Sequence, residues 1–337
     1  MIKFSICILT FNRGHLALKL VRHLLPLINE DWEILVLNNA STKFQEEYRK
    51  IAEIALIEPS VNYVHHDFNR GFHGNFLACF EFAKADYLQM ISDEDFPNTE
   101  IISHAIEIFQ ELATVGAIRG SVAPVADVLP RNSIQHQDIF LSAGREALLR
   151  FSLSGNYLSG VIYNKKLLQM KGLIARVKNN ILPNVIYPQM YLDILICSCT
   201  DVMFVKDIIA YEGPEAVGDD STVAFKNPAY CFSARAQQFI AFTDNFIEAL
   251  ELIDRPDEGG LRFELFTLLS EKYFFLLHCD NHLYVLRGLD PAALHEAFLN
   301  IILSSVSKVT SPHFRPKVVR HIKCIFYTSM LRLQSNA

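Results

Sequence analysis

Three consecutive acidic residues, Asp93-Glu94-Asp95, close an apolar run that reads Tyr87-Leu88-Gln89-Met90-Ile91-Ser92. A buried strand that brings two carboxylates, two residues apart, to its carboxyl edge is suited to a divalent cation. Hard ions such as Mg²⁺ and Mn²⁺ take oxygen ligands and commonly share them with a phosphate. Alternation along the strand turns Glu94 the other way, so Asp93 and Asp95 are the expected pair. Alone, such a pair reads equally well as an acidic turn at a helix start. Three earlier apolar runs tip the balance, because they too end in polar residues: Thr10-Phe11-Asn12-Arg13, Asn38-Asn39-Ala40-Ser41-Thr42 and His65-His66-Asp67-Phe68-Asn69-Arg70-Gly71. In an open parallel sheet the four ends share one rim, where ligands bind, and a rim of this composition suits a nucleoside diphosphate. His65, His66 and His73 are read as solvated loop residues, since imidazole is a poor partner for a hard cation.

The elements that must position these residues are legible from periodicity. Continuous apolar runs predict strands over 3–11, 32–37, 61–64 and 87–91. Helical spacing predicts helices over 14–25, 44–57, 75–83 and 99–112, the first two stopped by Pro26 and Pro59. Strand and helix alternating at this short spacing argue for βαβ units and an α/β fold, a mostly parallel sheet flanked by helices. Beyond residue 117 the alternation loosens: strands are expected over 118–125, 157–163 and 202–209, and helices over 143–151 and 186–199. From 229 onward everything legible is helical, over 229–254, 259–279, 291–306 and 313–332. The expected organisation is a nucleotide-binding and catalytic domain over 1–215, a linker over 216–228 and a helical region over 229–337.

Composition excludes several classes. The 337 residues carry a net charge of -6, which argues against a general nucleic-acid binder. The charge is uneven: Lys308 to Ala337 hold six Lys or Arg and no Asp or Glu. Seven Cys lack zinc or C-x-x-C spacing and are expected to be reduced, as in a cytosolic protein. No cleaved signal and no membrane-spanning run are expected. The loop after the first strand lacks G-x-G-x-x-G, and no Walker-type G-x-x-x-x-G-K-[ST] occurs, so neither a dinucleotide oxidoreductase nor a P-loop NTPase fits.

The same segments resemble the family 2 glycosyltransferases of the GT-A fold over roughly residues 3–112, with a fainter echo to about 215. Ser5-Ile6-Cys7-Ile8-Leu9-Thr10-Phe11-Asn12-Arg13 is similar to that family's first strand. Glu33 to Thr42 is similar to E-I-I-V-V-D-[DN]-x-S-T, with Asn38 where the family usually carries Asp. Asn69-Arg70-Gly71 with Asn75, and Ala85-Asp86-Tyr87 leading to Asp93-Glu94-Asp95, match its N-x-G…N and D-x-D segments. Bacterial enzymes decorating O-antigen or capsule, of the abequosyltransferase-like type, have the nearest flavour.

The resemblance implies an inverting transfer of a sugar from a nucleotide-diphosphate sugar to a glycan or lipid-linked acceptor in polysaccharide biosynthesis, with Mn²⁺ or Mg²⁺ as cofactor. It implies donor contacts from Thr10, Phe11, Asn12, Arg13, Asn39, Asp67, Arg70 and Asp93, with Asp95 as the direct metal ligand and Asp93 in support. The family's base, often an E-D pair, falls near Gln189, which cannot take a proton. Asp193, one helical turn on, is the first expectation for the base, and Asp219 or Asp220 the second. Ser154 to Gly160 is expected along the acceptor side.

On a helix over 312–332, Val318, Val319, Ile322, Ile325, Phe326 and Met330 share one arc opposite Lys317, Arg320 and Lys323. Peripheral docking on the inner face of an anionic membrane and simple packing of a terminal helix are equal readings. Two rivals remain: a non-catalytic nucleotide- or glycan-binding relative, and a sugar nucleotidyltransferase, which the absence of a Gly-rich, Lys-containing first loop disfavours.

Overall fold

A computed structural model describes residues 2–124, 137–155, 157–180, 187–213, 231–252, 260–312 and 315–334. Its nine-stranded sheet has the order β3-β2-β1-β4-β8-β6-β9-β5, with β7 pairing β9. The strands are β1 Phe4–Thr10, β2 Trp32–Asn38, β3 Val61–His65, β4 Tyr87–Ser92, β5 Phe96–Pro97, β6 Val115–Pro124, β7 Ile139–Leu141, β8 Val161–Asn164 and β9 Asp201–Glu212. Pairing is parallel through β3-β2-β1-β4, turns antiparallel where β8 is inserted, and is parallel again between β6 and β9. The first two strands are buried on both faces, as parallel strands covered by helices must be. Phe4, Ile6 and Ile8 enter one core while Cys7 and Leu9 enter the other.

Helices α1 Gly14–Leu24, α2 Gln45–Ile57 and α4 Thr99–Glu111 cover the first of those faces. The other is covered by α3 Gly71–Phe82, α5 Arg145–Arg150, α6 Lys165–Met170, α7 Leu173–Asn180 and α8 Pro188–Cys199. Among the described residues five more helices follow: α9 Phe232–Leu250, α10 Leu261–Cys279, α11 Asn281–Leu286, α12 Pro291–Val309 and α13 Arg315–Gln334. Their apolar residues, among them Phe239, Phe242, Leu269, Tyr273, Phe298 and Ile302, belong to the cluster that already holds Cys7, Met90 and Leu195. The expected linker over 216–228, with Asp219 and Asp220, lies outside the described residues.

Two expectations are corrected. Helix α3 begins at Gly71 rather than at 75, because its first amides are taken by asparagine side chains: the Gly71 amide donates to Asn69 Oδ1 (2.8 Å) in the same loop, and the Arg70 amide to Asn39 Oδ1 (2.8 Å) from the loop after β2. The strand expected over 157–163 begins only at Val161, after a single 3-10 turn at Leu158–Gly160. There the Ser159 carbonyl accepts from Gln89 Nε2 (2.8 Å) instead of from a neighbouring strand. Of the two equal readings of the last helix, burial supports packing: Val318, Ile322 and Phe326 are buried, and the Phe326 ring meets that of Phe274 at 5.0 Å. Among the described residues no helix is long and apolar enough to cross a membrane.

Where α8 and α10 meet the sheet, the core contains charge. Asp193, on α8, is wholly buried and pairs with the Arg119 guanidinium of β6, while the Tyr163 hydroxyl donates to it at 3.4 Å. Arg119 also lies 4.8 Å over the Phe151 ring. Nearby, Lys272 Nζ of α10 donates to the Leu153 carbonyl (3.1 Å). Burial, reinforced by Arg119, lowers the Lys272 ammonium to about 8. A folded value below the unfolded one means that the charged form is penalised at pH 7 and that the penalty is relieved as pH rises from about 8 toward the free-lysine value. The stability difference between wild type and Lys272→Met should therefore move in favour of wild type between pH 7 and pH 10, read by urea denaturation at each pH. A pH-independent difference would refute this assignment.

Candidate active site

The strand order reverses between β1 and β4: the chain adds β2 and β3 on one side of β1, then returns to lay β4 on the other. In α/β sheets the crevice beyond the carboxyl ends at such a point is where ligands bind. Leu9 is in register with Ser92, and Thr10 with Asn38, so the ends of β1, β2 and β4 lie side by side.

The loops on this rim are bolted together by asparagines. Asn12 has a left-handed backbone (φ 56°), and its Oδ1 accepts from the Thr42 and Lys43 amides at 2.7 and 3.0 Å. Its own amide donates to Ser41 Oγ (2.8 Å). Asn39 accepts from the Arg70 amide, and its Nδ2 donates to Asn69 Oδ1 (3.0 Å) and the Gly71 carbonyl (3.2 Å). Asn38 Oδ1 accepts from the Ser41 amide (3.0 Å) and its Nδ2 donates to Tyr63 Oη (2.8 Å). Much of the polar capacity of Asn12 and Asn39, both expected at the donor, thus joins the loops after β1, β2 and β3. Arg70 pairs with Glu81 of α3 (3.3 Å), Asp67 sits on an exposed turn and Phe11 is 42% exposed. His66 is not solvated as expected; it is buried and bonded to Asn75 (3.1 Å).

Thr10, Arg13, Asp93 and Glu94 do come together. The Arg13 guanidinium pairs with both Asp93 and Glu94, and Glu94 accepts from Ser92 Oγ at 2.7 Å. The expectation that Glu94 points away is wrong, because the chain leaves the strand at Ser92 and alternation stops there. Asp95 is wholly buried and receives two hydroxyls, Tyr157 Oη on Oδ1 (2.9 Å) and Ser159 Oγ on Oδ2 (2.6 Å). Neither residue had a visible role in the sequence, where Ser154–Gly160 read only as an acceptor-side segment. Tyr48 was also missed: its hydroxyl bonds Thr10 Oγ1 (2.7 Å) and accepts from the Arg13 amide (3.2 Å), joining α2 to the end of β1.

The electrostatics are lopsided. Burial pushes the Asp95 carboxyl up to about 7 against the lowering effect of the Ser159 hydroxyl. Burial also raises Asp93 well above the usual carboxylate range despite Arg13. Only Glu94 is lowered: the Asp93 hydrogen bond, Arg13 and Ser92 together outweigh its burial. Both Asp93 oxygens lack a well-aligned donor, although Arg13 lies against one of them. Two carboxyls sharing one guanidinium, with a third buried next to them on hydroxyls, fit a missing positive charge. Among the described residues no three His, Cys, Asp or Glu side chains converge as a complete metal cage, so a cation here would need ligands from a phosphate or water.

Asp193 is not part of this arrangement. A base must reach the proton it takes, and Asp193 is committed to the Arg119 guanidinium and the Tyr163 hydroxyl rather than to the acidic segment, so its expected catalytic role gives way to a structural one.

The family model described as "Glycosyl transferase family 2" matches residues 5–169, the span that builds this rim. The chain carries a family 2 glycosyltransferase domain. Over 110 residues, 33% of its length, it is 26% identical to a putative colanic acid biosynthesis glycosyl transferase, WcaA, of Escherichia coli K12, and that match spans 39% of the relative. Solved structures of S. aureus TarS share the fold. Residues 1–349 of TarS in complex with UDP-GlcNAc align with a TM-score of 0.55 and 14% identity, over 91% of this chain and 92% of that one. A longer TarS chain gives 0.58 and 11% identity, over 97% and 54%. The glycosyltransferase domain therefore has a GT-A sheet, with its acidic segment at the switch point.

Because the Tyr48 hydroxyl serves two partners at the start of the rim, Tyr48→Phe should cost about 1–3 kcal/mol by leaving both without it. Chemical denaturation measures this; a loss below about 0.5 kcal/mol would mean that water replaces the hydroxyl.

Proposed function

We propose that the protein transfers a sugar from a nucleotide-diphosphate sugar to a glycan or lipid-linked acceptor, with inversion at the anomeric carbon and dependence on Mn²⁺ or Mg²⁺. One observation carries this reading: Asp93 and Glu94 share the Arg13 guanidinium at the β1/β4 switch point, with Asp95 buried beside them. Asp95 and Asp93 would hold the cation, which supplies positive charge to the departing diphosphate. Arg13, fixed by Tyr48 and its two carboxylates, supplies charge from the protein on the same side. The bolted loops keep the rim from rearranging as the donor enters, so little ordering cost is left for binding. S. aureus TarS was solved with UDP-GlcNAc, which makes uracil the first base to test, and the relative from colanic acid biosynthesis points to a polysaccharide acceptor.

Binding without turnover is a second reading, favoured by the enclosure of Asp193 and by the amide at Gln189. The two are separated by incubating purified protein with UDP-, GDP-, CDP- and dTDP-sugars and Mn²⁺. The transferase reading expects slow release of nucleoside diphosphate, reduced at least 100-fold in Asp95→Ala and abolished by EDTA. Saturable donor binding with no release from any donor, even with glycan acceptors present, would support the binding protein instead.

A further inference from the structure

We propose that Tyr157 and Ser159 are positioning residues that hold the Asp95 carboxylate for the cation, and that residues 151–155 and 157–159 act as a strap tying this carboxylate to the buried charges under α10. The inference rests on the transferase reading above and deepens it.

The strap is anchored at both ends. At its start, the Phe151 ring lies under the Arg119 guanidinium, the Ser152 hydroxyl donates to the Leu148 carbonyl (2.7 Å), and Lys272 of α10 donates to the Leu153 carbonyl. Gly155 follows, where an added Cβ would come within 2.8 Å of Arg119 Nη1, so a side chain there would displace the guanidinium from its place. At its far end, the Tyr157 and Ser159 hydroxyls meet different oxygens of Asp95. The strap is pinned to the sheet there as well: Gln89 Nε2 donates to the Ser159 carbonyl, and the Ser92 amide donates to Ser159 Oγ at 3.2 Å. Ser159 therefore stands between the last residue of β4 and the carboxylate three residues on.

A carboxylate oxygen has two acceptor directions. Two hydroxyls, one on each oxygen, and the Gly213 backbone amide fix the carboxylate plane, and the acceptor direction left open has a defined aim. Partners of this kind set the orientation of a ligating group, and their loss commonly weakens metal affinity 10- to 100-fold. Asp93 has no such pair of hydroxyls, so the two acidic residues differ in how rigidly they are held.

The test compares wild type with Ser159→Ala and Tyr157→Phe, each removing one hydroxyl. Mn²⁺ binding is titrated by electron paramagnetic resonance of the free ion, in the presence of whichever of UDP, GDP, CDP or dTDP binds wild type. Melting temperature in EDTA checks the fold, and Tyr157→Phe, at a less enclosed site, stands in should Ser159→Ala not fold. Each folded variant is expected to bind Mn²⁺ at least 10-fold more weakly, with nucleotide affinity in EDTA unchanged. Turnover should recover toward wild type as Mn²⁺ is raised, a rescue that a merely structural defect would not give. Unchanged Mn²⁺ affinity in both variants, beside a wild type that binds the ion, overturns the positioning role and leaves the transferase reading standing. Failure of wild type itself to bind Mn²⁺ with any of the four nucleotides overturns both.

Discussion

Three carboxyl groups in sequence cannot be withdrawn from water beside one guanidinium unless some are protonated or more positive charge arrives. That constraint organises the amino-terminal half of the molecule. Arg13 is held by the Tyr48 hydroxyl at its own amide and spans Asp93 and Glu94. Asp95 is taken by hydroxyls from a segment sixty residues further along the chain. The sheet order brings these groups together: β1 and β4 are neighbours only because the chain reverses its direction of strand addition between them.

Around the acidic turn the loops are kept rigid by amides. Asn12, Ala40 and Phe44 all have left-handed backbones, unusual for residues with a side chain, and Asn12 answers with hydrogen bonds to the neighbouring loop. Asn38 stands where the family usually has Asp, and its partners explain why the exchange is tolerated. Its oxygen caps the Ser41 amide as a carboxylate would, while its nitrogen donates to Tyr63 Oη. A carboxylate would accept from Tyr63 instead, so the phenol only reverses its role and the loop keeps its shape.

How much of this could be read in advance depended on whether the cause was local. The first four strands and three of the first four helices were legible because each carries its own periodicity and stop signal. The start of α3 was not, since the Arg70 amide before it is held by Asn39, from the loop after β2. β5 and β7, two and three residues long, are too short for any pattern, and they exist only because β9 offers an edge. Within the site, Asp93, Asp95, Thr10 and Arg13 were found from strand ends. Tyr48, Tyr157 and Ser159 were not, because a single hydroxyl in a helix or a turn has no spacing to betray it. Asp193 shows the converse: helical spacing put it on the turn after Gln189, but only packing reveals that this face looks into the core at Arg119.

One apolar cluster runs without interruption from Cys7 and Met90 through α8 to Phe326 in the last helix. The carboxyl-terminal helices consequently have no interior that is theirs alone; they share the sheet's. Exchanging that half for the matching half of a distant relative would mismatch side chains along the whole seam, with Lys272 and Asp193 among them. Diversification of such a protein should then proceed by single substitutions on its polar rim rather than by recombination between halves, since the rim loops contribute little to the shared interior.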